Sequence, residues 1–294
     1  MDIILSSISQ GLLWSIMAIG VYLTYRILDI ADLTAEGAYP LGAAICAIAI
    51  VSGLNPFLAT LLAIIGGMLA GLVSGLLHTK MKIPALLTGI VTLTALYSIN
   101  LKVLGKANVA LLRKETLVTA LQDAGLSKTN AILLIGAIAV VVVVLFLTIL
   151  LKTQVGLALR STGDNIPMSE ANGIQVDRMK IYGYMLSNGL IALSGALLTQ
   201  NNGYADVNSG TGTIVIGLAS VIIAEVVIRN LTIGWRLASV VFGSILYRLI
   251  ILAILEIPGM DADLVKLFSA ILLAAVLFIP EMQKKLKIRQ LNWK

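Results

Sequence analysis

Long uninterrupted apolar runs, separated by short polar joints, set the rhythm of this chain. They fall at Ile4–Tyr25, Ala38–Val51, Pro56–Leu77, Pro84–Leu101, Ala131–Leu151, Ile181–Thr199, Thr213–Ile228, Leu237–Leu255 and Leu264–Ile279. Several reach or approach the roughly 20 residues that a helix needs to cross a bilayer. Strands of a membrane barrel would alternate apolar and polar positions, so a barrel is excluded. The pattern predicts an all-α polytopic membrane protein, one transmembrane domain over residues 1–294 with about nine spans (eight to ten). The second, fourth and seventh runs are short, which predicts tilted, broken or re-entrant helices.

Composition agrees. Of 294 residues, 59% are hydrophobic and 12% charged, about half the charge of a soluble domain. The net charge of +6 is explained by topology and does not point to nucleic acid. With residues 152–180 in the cytoplasm, the inner side gains Arg26, Lys80, Lys82, Lys152, Arg160, Arg178, Lys180, Arg229 and Arg236. The tail residues Lys284, Lys285, Lys287, Arg289 and Lys294 join them. That orientation places the N-terminus outside, the C-terminus inside and the acidic group Glu256, Asp261 and Asp263 outside. Five basic residues, Lys102, Lys106, Arg113, Lys114 and Lys128, then occupy one outer loop. They pack on the membrane surface or meet an acidic external partner. The first apolar segment lacks a basic leader and a cleavage site, so it reads as a retained helix. The lone Cys46 permits no internal disulfide.

The most structured polar segment is the loop at 152–180. Val155, Ala158 and Leu159 share one face of a short helix that Gly163 is expected to stop. Asp164 or Asn165 then caps a second helix, with Pro167 in its first turn and Gly173 just past its end. Such a pair either rests on lipid headgroups or docks a soluble partner. Within the third run, Ala59, Ala63, Gly67, Gly71 and Gly75 form a small-residue stripe for close helix packing. A weak inverted repeat relates Ser9–Leu12, Asp32, Gly37, Gly42 and Ala43 to Ser187–Leu190, Asp206, Gly210, Gly217 and Ala219. Repeats of this kind mark transporters.

No catalytic or metal-binding constellation emerges, and no phosphate-binding G-x-x-x-x-G-K-[ST] is present. His78 reads as a helix-boundary residue. The candidates for a translocation path are polar groups inside spans: Glu36, Tyr97, Ser98, Asn100, Asn188, Gln200 and Glu225. Glu225 and Arg248 either form an ion pair between the seventh and eighth spans, or Glu225 serves a gate. Asp29, Asp32 and Glu36 form either a solvated turn or part of the path.

The segments Gly156–Asn165 and Ala171–Lys180 resemble the cytoplasmic coupling loop of ABC importer permeases of the branched-chain amino acid and ribose class. Asp32–Gly37, Thr94–Asn100 and Gly217–Glu225 extend the resemblance over nearly the whole chain, and it is strongest to the tryptophan/tyrosine subfamily. Ribose-type permeases carry an extra N-terminal helix, which this chain lacks. The resemblance implies a transport subunit with no cofactor of its own, ATP and magnesium being held by a separate ATPase. It implies two ATPase subunits docked on Gly156, Leu159, Arg160, Gly163, Asp164 and Asn165, a second permease copy, and an extracytoplasmic substrate-binding protein. The setting is the bacterial plasma membrane and the solute an aromatic or branched-chain amino acid. An ion-coupled secondary transporter using Glu36 or Glu225 is the alternative from another class, and a non-transporting membrane scaffold a third.

Overall fold

The computed structural model describes residues 2–112, 114–227, 232–256 and 267–278. Each predicted apolar run is a helix there. The helices are α1 (Asp2–Tyr22), α2 (Ala35–Val51), α3 (Pro56–Thr79), α4 (Ala85–Leu104), α5 (Leu117–Asp123), α6 (Lys128–Lys152), α7 (Gln154–Asp164), α8 (Ile166–Ala171), α9 (Val176–Asn202), α10 (Thr213–Val227), α11 (Ile233–Leu255) and α12 (Leu267–Phe278). Among the described residues, seven helices have the length and apolarity to cross a membrane. Two further apolar helices, α2 and α12, are shorter. The fourth run, expected to be short, is a full 20-residue helix, because it extends through Leu104 to a left-handed cap at Gly105. The acidic residues Asp261 and Asp263, together with Arg113, Arg229 and the basic tail, lie outside the described residues.

Helix α9 is the axis of the bundle. Its share of buried residues is the highest of the seven crossing helices, at 78% of its apolar window, and it packs against α1, α2 and α3. The α3 stripe makes this possible. Ala59 and Ala63 are wholly buried, and a Cβ on Gly71 would sit 2.2 Å from the Tyr184 carbonyl oxygen of α9. The two backbones therefore touch where any side chain would hold them apart. At the end of the bundle remote from α7, strands β1 (Asn108–Ala110) and β2 (Tyr204–Asp206) pair antiparallel, Val109 opposite Ala205. We call this the hairpin end.

Two stretches break the helical pattern. Helix α1 widens into a π-helical turn at Leu23–Ile27. The chain then reverses at Asp29, whose φ is 54°, and runs back among the helices through buried Ile30 and Asp32 to α2. On the other side, β2 leads into a short 3₁₀ turn at Val207–Gly210 that runs along α2 to the start of α10. Helix α2 has 17 residues and α10 has 15. Their first turns meet: the Gly212 N–H donates to Glu36 Oε1 at 3.0 Å. Thus α1 with α2, and α9 with α10, each comprise a long helix, a non-helical return and a short helix, the layout expected of an inverted repeat.

Candidate functional site

A buried polar cluster surrounds the start of α2, next to its meeting with α10. Asp32 is buried and bonded on both oxygens. Oδ1 accepts from the Thr34 N–H at 2.9 Å, and Oδ2 accepts from Asn188 Nδ2 at 2.8 Å. Thr34 shares a 2.7 Å hydrogen bond with the Ser74 hydroxyl, which in turn donates to Thr92 Oγ1 at 3.0 Å. The start of α2 is thereby tied to α3, α4 and α9. Asn100 of α4 donates to the Gly37 carbonyl oxygen at 3.2 Å. Three buried polar atoms here, Asn100 Oδ1, Asn188 Oδ1 and the Tyr184 hydroxyl, have no partner within the chain. Unpaired buried polar groups are uncommon in folded proteins and call for water or a second conformation to satisfy them.

The acidic group at 29–36 is therefore not a solvated turn. Asp29 is exposed, Asp32 is buried, and Glu36 lies half-buried at the first turns of both short helices. Two helix N-termini bring their positive ends toward the Glu36 carboxylate. The other candidates separate. Tyr97 and Ser98 lie with Thr94 on the exposed face of α4. Asn188 belongs to the Asp32 cluster. Gln200 is a clamp near the hairpin end: it accepts from the Leu117 N–H at 3.0 Å and donates to Thr60 Oγ1 at 2.8 Å and to Cys46 Sγ at 3.3 Å. Asp32 was among the acidic residues weighed for the path, whereas Thr34 and Ser74 were not singled out from sequence. The signal available was a hydroxyl at Ser74 on the small-residue face of an apolar run.

Glu225 does not pair with Arg248. Its Oε1 lies 2.7 Å from Arg26 Nε at the end of the π turn, whereas Arg248 donates to Gln10 Oε1. The two residues sit toward opposite ends of the bundle, because α11 runs back from the end at which α10 finishes. His78 Nδ1 bonds the Ile83 carbonyl oxygen at 2.9 Å and closes the turn between α3 and α4.

Helices α7 and α8 occur as the loop pattern predicts, except that Gly163 does not stop the first. Helix α7 continues through Gly163 to Asp164. Asn165, not Asp164, caps α8, its Oδ1 accepting from the Met168 N–H at 3.0 Å. Gly163 is a contact rather than a stop: a Cβ there would lie 1.9 Å from the Ile27 carbonyl oxygen. The inward face is Gly156, Leu159 and Thr162, while Val155 is exposed. Leu159 packs with Leu28, Ile30 and Tyr184, directly beneath the segment that leads to Asp32. Of the expected docking residues, Gly156, Leu159 and Gly163 thus contact their own chain. Arg160 is half-buried, and Asp164 and Asn165 point outward. Exposed apolar residues, Leu157, Ile166 and Met168, stand beside them. Apolar residues clustered on an otherwise polar surface mark an interaction site.

A continuous set of contacts therefore joins this surface to the α2–α10 junction. It runs from α7 through Gly163 and Leu159 to the π turn, and from Arg26 to Glu225 on α10. The profile of the family described as branched-chain amino acid transport system, permease component, matches residues 3–277. The chain belongs to this permease family. It is 41% identical over 284 residues to the tyrosine transport system permease protein of Clostridioides difficile, covering 97% of this chain and 93% of that one. It is 27% identical over 212 residues to the autoinducer 2 import system permease protein LsrC of Salmonella choleraesuis, covering 72% of this permease and 58% of that protein. A chain of PsaBC from Streptococcus pneumoniae, solved in complex with Fab, shares the fold, with a TM-score of 0.54 at 16% identity over 97% of this chain and 93% of that one. The protein is accordingly a multi-pass permease of the cell membrane and the transport subunit of an ABC system. It is not an enzyme, and its family works with an ATPase and a substrate-binding protein. The ion-coupled alternative is not favoured.

Proposed function

We propose that this permease imports an aromatic amino acid, tyrosine first, with branched-chain amino acids as the related class. The 41% identity to a tyrosine transport permease over nearly the full length of both chains carries the substrate reading. In this account the permease works as a homodimer on two ATPase subunits. The α7–α8 surface docks one ATPase per copy, through Leu157, Asp164, Asn165, Ile166 and Met168, with Arg160 beside them. That places α7 in the cytoplasm, the N-terminus outside, the C-terminus inside, and the hairpin end toward an extracytoplasmic binding protein. ATP and magnesium stay on the ATPase.

The observation that supports coupling is the close seating of α7 on the π turn. When the ATPases close and push α7, Gly163 transmits the displacement to Ile27 with no flexible side chain between them. Arg26 carries it to Glu225 and so to α10. Leu159 carries it to Leu28 and Ile30, and so to the start of α2. The Glu36–Gly212 bond is the joint at which the two short helices part or meet. The exposed polar face of α4, Thr94, Tyr97 and Ser98, then forms part of the path wall between two copies. A wall of hydroxyls suits a permease whose affinity resides in its binding protein.

The test is reconstitution with the cognate ATPase and binding protein. Uptake of labelled L-tyrosine that requires internal ATP, with L-leucine as competitor, is expected. Uptake that ignores ATP and follows a proton or sodium gradient would overturn the coupling account. ATP-driven uptake of L-leucine that L-tyrosine does not inhibit would overturn the substrate.

A further inference from the structure

Arg248 is left over by this account. It lies two turns inside α11 from the hairpin end, half-buried, with its guanidinium 5.9 Å from the Trp14 ring centre. Its hydrogen bond goes to the neutral amide oxygen of Gln10. Among the described residues, no carboxylate pairs with it. A guanidinium carries five N–H donors in a fixed fork, and here one acceptor is supplied. A buried cation without a counter-charge ordinarily faces a cavity or a partner anion.

Such a cavity is present. A crevice of about 480 Å³ opens between the ends of α1, α6 and α11 and is lined by Ser6, Ser7, Gln10, Thr129 and Arg248. It continues into a second hollow that shares Ser6, Gln10 and Thr129 and adds Lys128 and two amides, Asn201 and Asn202. Apolar Ile251 and Leu252 form the remaining wall. Hydroxyls and amides therefore line two adjoining hollows, with Arg248 in the first and Lys128 in the second, and no acidic side chain among the described residues lines either. Carboxylates and phosphates are the groups that a guanidinium fork binds bidentately.

We propose that this crevice is an anion site. It holds a single carboxylate or phosphate group on Arg248, with Gln10 fixing the guanidinium and Lys128 at the mouth drawing the anion in. The site does not depend on the docking or substrate assignments above. The anion comes either from a dissolved solute or from the headgroup of an anionic phospholipid, whose chains would lie along Ile251 and Leu252.

The experiment measures thermal stabilisation of the purified permease in phosphatidylcholine nanodiscs. Sodium acetate or sodium phosphate is titrated against sodium chloride at equal ionic strength. A parallel series replaces part of the lipid with phosphatidylglycerol. Arg248→Gln removes the fork, Arg248→Lys keeps the charge without it, and Ser7→Phe blocks the crevice while leaving Arg248 in place. A bound anion stabilises the folded state by mass action. The expected result is a saturable shift in the wild type whose half-saturation moves about tenfold or more in Arg248→Gln. Arg248→Lys is expected to lie between, and Ser7→Phe to abolish the shift. A shift with acetate or phosphate identifies a dissolved anion as the source, and a shift with phosphatidylglycerol alone identifies a lipid. No shift with any probe, or equal shifts in wild type, Arg248→Gln and Ser7→Phe, overturns the site. Because each variant is compared with itself in chloride, a change in its own stability does not obscure the outcome.

Discussion

Replacing Gly163 by alanine is the sharpest perturbation of the coupling contact. The new methyl would lie 1.9 Å from the Ile27 carbonyl oxygen and 2.8 Å from its carbonyl carbon. Both atoms are backbone, so no side chain can rotate away. The α7 helix must therefore lift from the π turn by more than about 1 Å before the contact returns to normal van der Waals range. Overpacking of this kind costs about 1–3 kcal/mol. Against it stands the gain of about 0.5–1 kcal/mol from replacing a helical glycine by alanine. The net loss of about 0–2.5 kcal/mol stays below the roughly 5–15 kcal/mol that holds a domain folded, so the permease still folds and reaches the membrane. The outward surface of α7 and α8 is untouched, so the ATPase still binds. We expect Gly163→Ala to hydrolyse ATP with little uptake, and Gly163→Val to be worse. Gln154→Ala, exposed on the same helix, should behave as wild type. The assay is reconstituted uptake alongside ATPase rate and co-purification. Wild-type uptake per ATP in Gly163→Ala would refute the idea that motion passes through this contact.

Other expectations follow from the same structure. Leu157→Ser with Met168→Ser changes residues that are 55% and 63% exposed; stability should move by less than about 0.5 kcal/mol, while ATPase co-purification falls sharply. Glu225→Gln breaks a pair whose side chains are 56% and 40% exposed, so the melting temperature should barely change; uptake should drop, and the exchange Arg26→Glu with Glu225→Arg should recover part of it. Asp32→Ala leaves the Thr34 N–H and one N–H of the Asn188 amide without acceptors in a buried site, the other still donating to the Tyr184 carbonyl oxygen, and thermal melting should report a loss of about 2–4 kcal/mol, with Asp32→Asn milder.

The helices were legible because a bilayer demands apolar runs, and the shortness of the second and seventh runs already announced the two returns. What misled was glycine. In sequence, Gly163 looks like a helix stop, since glycine costs about 1 kcal/mol inside a helix. Here the helix accepts that cost because only a residue without Cβ lets α7 touch Ile27. Of the two alternatives for Glu225, the ion pair with Arg248 fails for a different reason. Glu225 lies near the end of α10 and Arg248 sixteen residues past Thr232, a rise of roughly 24 Å along α11. Topology alone excluded their contact, but proximity in sequence suggested it. Which of Asp29, Asp32 and Glu36 is buried stayed open, because burial of a carboxylate depends on where the chain goes after a π turn. That path is set by a left-handed residue, Asp29, which no apolar period reveals.

The most direct test of the central claim is transport by the reconstituted system with and without an intact α7–α8 surface. Proteoliposomes holding the permease, its ATPase and its binding protein should accumulate L-tyrosine only when supplied with ATP, and Leu157→Ser with Met168→Ser should abolish this while the permease alone melts as wild type. Undiminished ATP-driven uptake in that double variant would contradict the account.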